Sequence, residues 1–288
     1  YFTCCGHYQH EYFQDWLQTA GWSDGERAER TGVIPLSLSP CLPDHVPAKE
    51  LTFVFGGVFL PWQDPSLGLS VLVEEMERCE RGRLLFFGGR HVVYPVDPGI
   101  YESLASQLSR SSRVTVAGLM PYADLIEVYR QAHVALDLIK RNRERELAFT
   151  SRTVVYLWCG LPVIYNNYSE LSEYIRTYNA GWTVDPDDSA AIRAVLAEIF
   201  THPQVVAERS RNAQRLMREQ LSWDKTIGPL DGFVRRQDRR PNATRTGNSG
   251  PGHLWHSAML RWRSGGLRAV VRELVPYLQW RLGGLRRP

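Results

Sequence analysis

The segment KRNRERELAFTSRT (140–153) carries the residues best suited to chemistry on an anionic group. Its arginines surround the start of a predicted helix. A helix N-terminus offers free amides and partial positive charge, and guanidinium groups form charge-assisted hydrogen bonds with phosphate oxygens. A charged loop that is merely solvated is the alternative, but the combination favours a diphosphate site. The side chains that we expect to contact the phosphates are Arg143, Arg145, Ser151, Arg152 and Thr153.

Glycines follow three predicted strands, which are the apolar runs at 51–55, 83–87 and 113–117. Glycine lets a ligand approach backbone amides closely, although ordinary turn glycines are the alternative for any single loop. Because glycines follow three strands at the same edge of the sheet, we favour a ligand-binding role for them. Arg90 and His91 follow the glycine pair at the end of the second predicted strand. The histidine is either a general base or a solvated side chain. The candidates at this edge are Gly56, Gly57, Gly89, Arg90, His91 and Gly118.

The alternation of segments in residues 51–200 predicts the α/β class, with a doubly wound, Rossmann-like parallel sheet and helices on both faces. In such a sheet the carboxyl ends of the strands meet at one edge, where ligands bind. The basic segment and the glycines should therefore lie together. The predicted strands are 51–55, 83–87, 113–117, 133–138, 162–166 and 181–185, and the predicted helices lie near 65–79, 99–109, 122–131, 151–159, 169–178 and 187–200.

Sequence composition divides the chain into three parts, at 1–47, 48–234 and 235–288. The first part contains a helical stretch around 9–19, a turn rich in glycine and aspartate, the strand VIPLSL (33–38) and a linker with three prolines. The chain begins without methionine, so we expect that it continues upstream. The second part holds the sheet and a closing helical segment.

The third part is a flexible linker and a basic amphipathic tail. Residues 235–288 hold twelve arginines against Asp238 and Glu273, so the tail is strongly positive although the whole chain carries a net charge of only +3. Arginines interspersed with tryptophans predict attraction to an anionic membrane surface, and a solvated, disordered tail is the alternative. No recognition motif accompanies the arginines, so we do not expect nucleic acid to be a partner.

Other residue patterns limit the class of protein. The five cysteines form no C-x-x-C pair, which argues against a disulfide framework or a zinc site and favours a cytoplasmic protein. No uncharged apolar run reaches the 18 residues of a spanning helix, so any membrane contact should be peripheral. We also expect no metal, because no cluster of acidic residues and histidines stands at metal-ligand spacing.

The run ELAFTSRTVVYLWCGLPVIYNN (146–167) and the sequence ELSEYIRTYNAGWTVDPDDSAAIRAVLAEIF (170–200) together resemble the C-terminal domain of family 4-like glycosyltransferases of the GT-B fold. The shared features are an acidic loop, a helix that ends in Cys-Gly, and a Leu-Pro-Val strand. The resemblance covers roughly 48–234. Residues 1–47 are similar to the last helix and strand of the family's N-terminal, acceptor-binding domain, so most of that domain would be missing.

The resemblance implies transfer of a sugar from a nucleotide-diphosphate sugar to an acceptor, with retention and without a metal. The acceptor would be a glycan, lipid-linked or a cell-surface precursor. The nucleotide-sugar would be a substrate rather than a cofactor. By the same resemblance, Glu146 would accept hydrogen bonds from the transferred sugar, while Arg145 and Arg152 would stabilise the leaving diphosphate.

Two departures from the family pattern leave alternatives open. Many members have two glutamates eight positions apart, and the second of them binds the ribose of the donor. Alignment on Cys159 and Gly160 puts these positions at Leu147 and Val155, although Glu146 lies one residue from the first. The loop GGVFLPWQDP (56–65), which we call the first glycine loop, also lacks a lysine or arginine. A catalytically degenerate scaffold protein and a sugar-nucleotide epimerase of the same architecture therefore remain alternatives.

Overall fold

The N-terminal segment forms a small parallel pair of strands with two helices. The computed structural model describes residues 1–90, 97 and 99–236. Strand β1 (Phe2–Cys4) pairs with β2 (Thr31–Val33), and helices α1 (His7–Thr19) and α2 (Asp24–Arg30) lie between them in the chain. Residues Tyr1–Arg236 cluster as one compact unit. The predicted helix around 9–19 is confirmed.

Two predictions for this segment are wrong. The expected turn is helix α2, which begins with a capping box in which Ser23 and Glu26 each accept a hydrogen bond from the other's backbone amide. The predicted strand 33–38 is mostly extended chain outside a ladder, since Pro35 has no N–H to donate. Leu38 makes only an isolated parallel bridge with Ser222.

Six parallel strands form the main sheet, as predicted. Their spatial order is β5-β4-β3-β6-β7-β8, so the direction of winding reverses between β3 and β6. This reversal is the switch point at which an open α/β sheet leaves a crevice for a ligand. The strands are β3 (Thr52–Val58), β4 (Arg83–Gly89), β5 (Val114–Ala117), β6 (Val134–Asp137), β7 (Val163–Asn166) and β8 (Gly181–Val184).

Helices cover both faces of this sheet. Each of the six predicted helices is present within a few residues of its expected bounds. The helices are α3 (Ser66–Arg78), α4 (Tyr101–Leu108), α5 (Tyr122–Gln131), α6 (Arg143–Leu147), α7 (Ser151–Trp158), α8 (Glu170–Tyr178), α9 (Ser189–Thr201), α10 (Pro203–Glu219), α11 (Trp223–Thr226) and α12 (Gly228–Arg236). The short α6 lies in what was predicted to be a loop.

Alternating side chains of the strands build two separate cores. In β3, Phe53 and Phe55 face one cluster with α3 and α9, while Val54 faces the other with α7 and α10. All three are fully buried, as expected for a central parallel strand covered on both faces. The two cores hold β3 and β6 rigidly, and these are the strands that flank the crevice.

Some predictions lie outside the described residues. They include His91 and the linker and basic tail from residue 237 onward. Among the residues that the structure does describe, no helix has the length and apolar character needed to cross a membrane.

Candidate functional site

Both backbone polar groups of Gly56, near the end of β3, are hydrogen-bonded to side chains of helix α7. Its N–H donates to the Tyr156 hydroxyl oxygen at 2.8 Å, and its carbonyl oxygen accepts from Nη1 of Arg152 at 2.9 Å. Tyr156 is fully buried, and this burial raises the pKa of its hydroxyl well above the usual value. The Tyr156 hydroxyl is therefore a neutral hydrogen-bond partner, and the end of β3 is bonded to α7 at Gly56.

A buried carboxylate at the end of β6 completes this arrangement. Asp137 is 1% exposed, and its Oδ1 lies 3.5 Å from Nε of Arg152. Its Oδ2 accepts a hydrogen bond from the Thr153 hydroxyl. The guanidinium carbon of Arg152 also lies 5.2 Å from the ring centroid of Phe55. Asp137 was not predicted as a site residue, and its only signal was an acidic side chain within an apolar strand.

Gly57 is the position where this packing demands a glycine. Its φ is +150°, and a β-carbon there would lie 2.7 Å from Nη1 of Arg152. L side chains rarely adopt such a φ, and a shift of the guanidinium would disturb its contacts with Gly56 and Asp137. The chain therefore passes close to Arg152 at this end of β3, whereas the glycine pair was predicted to allow the close approach of a ligand.

The N-terminus of α7 has no side-chain cap among the described residues. Thr150 stands at the capping position, but its hydroxyl bonds to that of Tyr165 at 2.9 Å instead. Burial raises the pKa of Tyr165 to about 12, which keeps this partner neutral. The first amides of α7 consequently point outward without a side-chain acceptor, and exposed Ser151 lies beside them. Such a helix end suits an anion.

The basic segment folds into α6, which ties itself to the first glycine loop. The side chain of Asn142 accepts from the Arg145 amide at 3.0 Å and donates to the Trp62 carbonyl at 2.8 Å. The Trp62 indole N–H donates to Glu144 at 3.0 Å. Trp62 is nevertheless 46% exposed. The loop after β3 and the segment before α7 therefore form one continuous rim.

Three of the predicted phosphate ligands are turned toward internal partners. Arg145 forms a paired contact with Glu144 and its side chain is only 10% exposed. Burial lowers the pKa of Arg145, but the hydrogen bond to Glu144 and the negative charges of Glu144 and Asp137 act together against it, so the pKa is raised. Arg152 is 13% exposed and occupied by Gly56 and Asp137, while Thr153 is fully buried. These side chains build the wall of the crevice.

The accessible charge belongs to Arg141 and Arg143. Their side chains are 62% and 68% exposed, and both donate to Glu146, at 2.7 and 3.1 Å. These bonds hold the pKa of Glu146 below its usual value. Each carboxylate oxygen of Glu146 thus already accepts from an arginine, so a sugar hydroxyl would use a remaining lone pair or replace one of these bonds. The guanidinium of Arg143 also lies 5.4 Å from the ring centroid of Tyr12 in α1.

The second and third glycine loops contribute less. A β-carbon on Gly89 would lie 2.8 Å from Cγ of Leu119, whereas one on Gly118 would meet nothing within 4 Å. Close packing therefore accounts for Gly89, and nothing in the described structure requires glycine at Gly118. Arg90 pairs with Glu102 at 3.0 Å, with both side chains exposed.

Comparison with known proteins identifies the family. The model of the family "Glycosyl transferases group 1" matches residues 46–216, which is more than half of the chain. The chain belongs to this glycosyltransferase family. Its parallel sheet and flanking helices are those of the GT-B fold, as the resemblance predicted.

Individual relatives are distant. A D-inositol 3-phosphate glycosyltransferase of Acidothermus cellulolyticus is 25% identical over 235 residues, which cover 79% of this chain and 48% of the relative. The chain thus spans about half the length of that relative. Sucrose-phosphate synthase of Thermosynechococcus elongatus has a TM-score of 0.61 at 20% identity, over 81% of this chain and 57% of that one. HepE of Anabaena, solved with UDP-glucose, has a TM-score of 0.60 at 14% identity, over 81% and 62%.

The two departures from the family pattern now have a structural context. Val155 lies within α7 and packs, partly buried, against the core that contains Tyr156 and Leu157. The first glycine loop has no basic residue of its own, but Arg152 brings a guanidinium to it from α7. No group of three or more potential metal ligands occurs among the described residues.

Proposed function

We propose that residues 48–234 bind the nucleotide-diphosphate sugar for a glycosyl transfer, and that residues 1–47 are the end of an acceptor-binding domain. Support comes from the membership of the glycosyltransferase family and from the position of the uncapped α7 N-terminus near the switch point. The observation that carries the proposal is the placement of exposed Arg141 and Arg143 just before this helix end. Amides and guanidinium groups together complement a diphosphate.

The proposed catalytic roles follow from which side chains are exposed. Arg141, Arg143 and the α7 amides would stabilise the charge that develops on the leaving diphosphate, so that no metal and no cofactor is needed. Arg145 and Arg152 would act as positioning residues, since each is held by an internal acceptor. Glu146 would exchange one arginine for a hydroxyl of the transferred sugar. Transfer would proceed with retention.

The proposed acceptor is a glycan, either lipid-linked or a cell-surface precursor. The Acidothermus relative is named for an inositol phosphate acceptor, which makes a polyol acceptor reasonable for this chain too. The twelve arginines of residues 235–288 would hold the protein at the cytoplasmic face of an anionic membrane, where such acceptors are accessible. We do not propose nucleic acid as a partner.

Calorimetric titration of the chain with UDP, GDP, ADP and dTDP tests the proposal. We expect one diphosphate to bind selectively, and the Arg141→Ala, Arg143→Ala double variant to bind it roughly 10- to 100-fold more weakly. Both arginines are exposed, so the stability of the variant should not change. The control is Arg110→Ala, which removes an exposed arginine at the opposite edge of the sheet.

A scaffold function is the second candidate, because Val155 stands where many relatives have the glutamate that binds ribose. A folded chain that binds none of the four diphosphates would favour this candidate and contradict donor binding. If the Arg141→Ala, Arg143→Ala variant and the Arg110→Ala control bind the diphosphate with equal affinity, the proposed site is also contradicted. The exposed guanidinium groups of Arg141 and Arg143 would then contribute nothing to binding.

A further inference from the structure

An open cleft of about 510 Å³ lies between the start of α1 and one face of α8. His7 and Tyr8 form one side of it, and Glu170, Glu173, Tyr174 and Tyr178 line the other. The cleft is separate from the rim formed by the first glycine loop and α6. It is close to that rim, because Phe149, between α6 and α7, packs edge-on against Tyr174 at 5.8 Å.

Glu170 supplies a buried acceptor with unused capacity. The residue is 6% exposed, and its Oε2 accepts from the Tyr8 amide at 3.0 Å. Its Oε1 is buried and has no hydrogen-bond partner among the described residues. A β-carbon on Gly6 would lie 2.4 Å from Oε2, so the backbone is pressed against the carboxylate.

The remaining lining residues define the ligand chemistry. None of the eight residues that line the cleft is a lysine or arginine, so the cleft has no permanently charged cation for a phosphate or carboxylate. Glu173 accepts from the Tyr8 hydroxyl, and Gln220 donates to that of Tyr178 at 2.8 Å. The buried carboxylate of Glu170, the exposed carboxylate of Glu173, the oriented hydroxyls and the tyrosine rings complement a neutral molecule that donates many hydrogen bonds and has apolar C–H faces.

We propose that this cleft binds a neutral saccharide unit of the acceptor, with a sugar hydroxyl donating to Oε1 of Glu170. The identification of that saccharide as acceptor rests on the proposed function, while the binding itself does not. The cleft adjoins the basic rim through Phe149 and through α1, where Tyr8 and Tyr12 lie one turn apart and Tyr12 contacts Arg143. A saccharide bound there would extend toward the donor.

Saturation-transfer NMR on the full chain, with the methyl glycosides of glucose, galactose, mannose and N-acetylglucosamine, tests the cleft. We expect transfer to at least one glycoside, and much weaker transfer to glucuronate because its carboxylate meets Glu170 and Glu173. In Glu170→Gln the amide oxygen can still accept from the Tyr8 N–H, but the negative charge and the second acceptor oxygen are lost. The affinity for the glycoside should therefore fall roughly tenfold, which corresponds to the loss of a charged hydrogen bond. Thr177→Trp, at an exposed lining position, should abolish binding by filling the cleft.

Diphosphate titration of the same variants separates the two proposals. Both should bind nucleotide diphosphate as the unmodified chain does, which also shows that they are folded. No transfer to any glycoside, or equal transfer in the unmodified chain and Thr177→Trp, would overturn the saccharide site even if diphosphate binds. Saccharide binding without diphosphate binding would leave the cleft in place and overturn the donor site instead.

Discussion

Arg152 donates from Nη1 to the carbonyl oxygen of Gly56 at 2.9 Å and thereby joins α7 to the end of β3. The same guanidinium lies 3.5 Å, through Nε, from the buried Asp137 at the end of β6. One side chain thus connects the two strands that flank the switch point. Arg152 consequently sets the shape of the crevice, whereas the exposed Arg141 and Arg143 supply its accessible charge.

Replacing Arg152 should destabilise the fold more than its single backbone hydrogen bond would indicate. Arg152→Met leaves the carboxylate of Asp137 buried without a compensating charge, which costs about 3–5 kcal/mol. In the double variant with Asp137→Asn much of this loss should be recovered, because no uncompensated charge remains. Urea unfolding measures both effects. Additive losses in the double variant would show that the two residues are not coupled.

The glycine in β3 and the glycine that follows β5 should respond very differently to alanine. Gly57→Ala introduces a β-carbon 2.7 Å from the Arg152 guanidinium at a φ of +150°, so we expect a loss of about 1–3 kcal/mol and weaker diphosphate binding. Gly118→Ala meets nothing within 4 Å and should change stability by less than about 0.5 kcal/mol. Thermal unfolding and diphosphate titration of the pair provide the measurement. Equal effects would contradict the close approach at Gly57.

The sheet could be predicted from sequence because buried parallel strands are continuous apolar runs with clear breaks between them. Helix α2 was missed since Gly25 and Asp24 favour a turn, although Ser23 and Glu26 have the spacing of a capping box. The apolar run VIPLSL (33–38) predicts a strand, but Pro35 within it cannot donate to a ladder, and only Thr31–Val33 pairs with β1.

The orientation of the site side chains could not be predicted in the same way. Residue type and spacing place Arg145 and Arg152 beside the crevice, but they do not tell whether a guanidinium faces solvent or an internal acceptor. That depends on Asp137 and Glu144, whose positions follow from strand register and from the short helix α6. The same holds for Glu170, whose partner Tyr8 is 162 residues away.

The Tyr156 hydroxyl should contribute to stability because it accepts the hydrogen bond of the Gly56 N–H. Tyr156→Phe preserves the ring but leaves this buried N–H without a partner, at a cost of about 1–3 kcal/mol. The first glycine turn should then open more readily, and diphosphate affinity should fall. Tyr122→Phe removes the hydroxyl of an exposed tyrosine and serves as the matched control. A change in stability that is the same in both variants would show that the Gly56 bond has no special effect.

Acid should destabilise the protein through His133, which lies just before β6. Its Nδ1 accepts from the Thr52 amide at 3.1 Å, so only the form with an unprotonated Nδ1 fits. Burial, aided by the charge of nearby His45, lowers the pKa of His133 to about 4. An unfolded histidine has a pKa near 6.5, so the unfolded chain binds the additional proton first as the pH falls. The contribution of this group to stability is complete above about pH 6.5 and is lost progressively down to about pH 4.

His133→Asn tests this dependence because an asparagine oxygen can accept the same hydrogen bond without titrating. We expect the free energy of unfolding of the variant to vary less steeply between pH 6.5 and 4 than that of the unmodified chain. Some slope should remain, since burial also lowers the pKa of His45. His202→Asn, at an exposed histidine, is the control and should leave the slope unchanged. Urea unfolding at half-unit pH intervals measures the slopes, and identical slopes for the unmodified chain and His133→Asn would refute the role of His133.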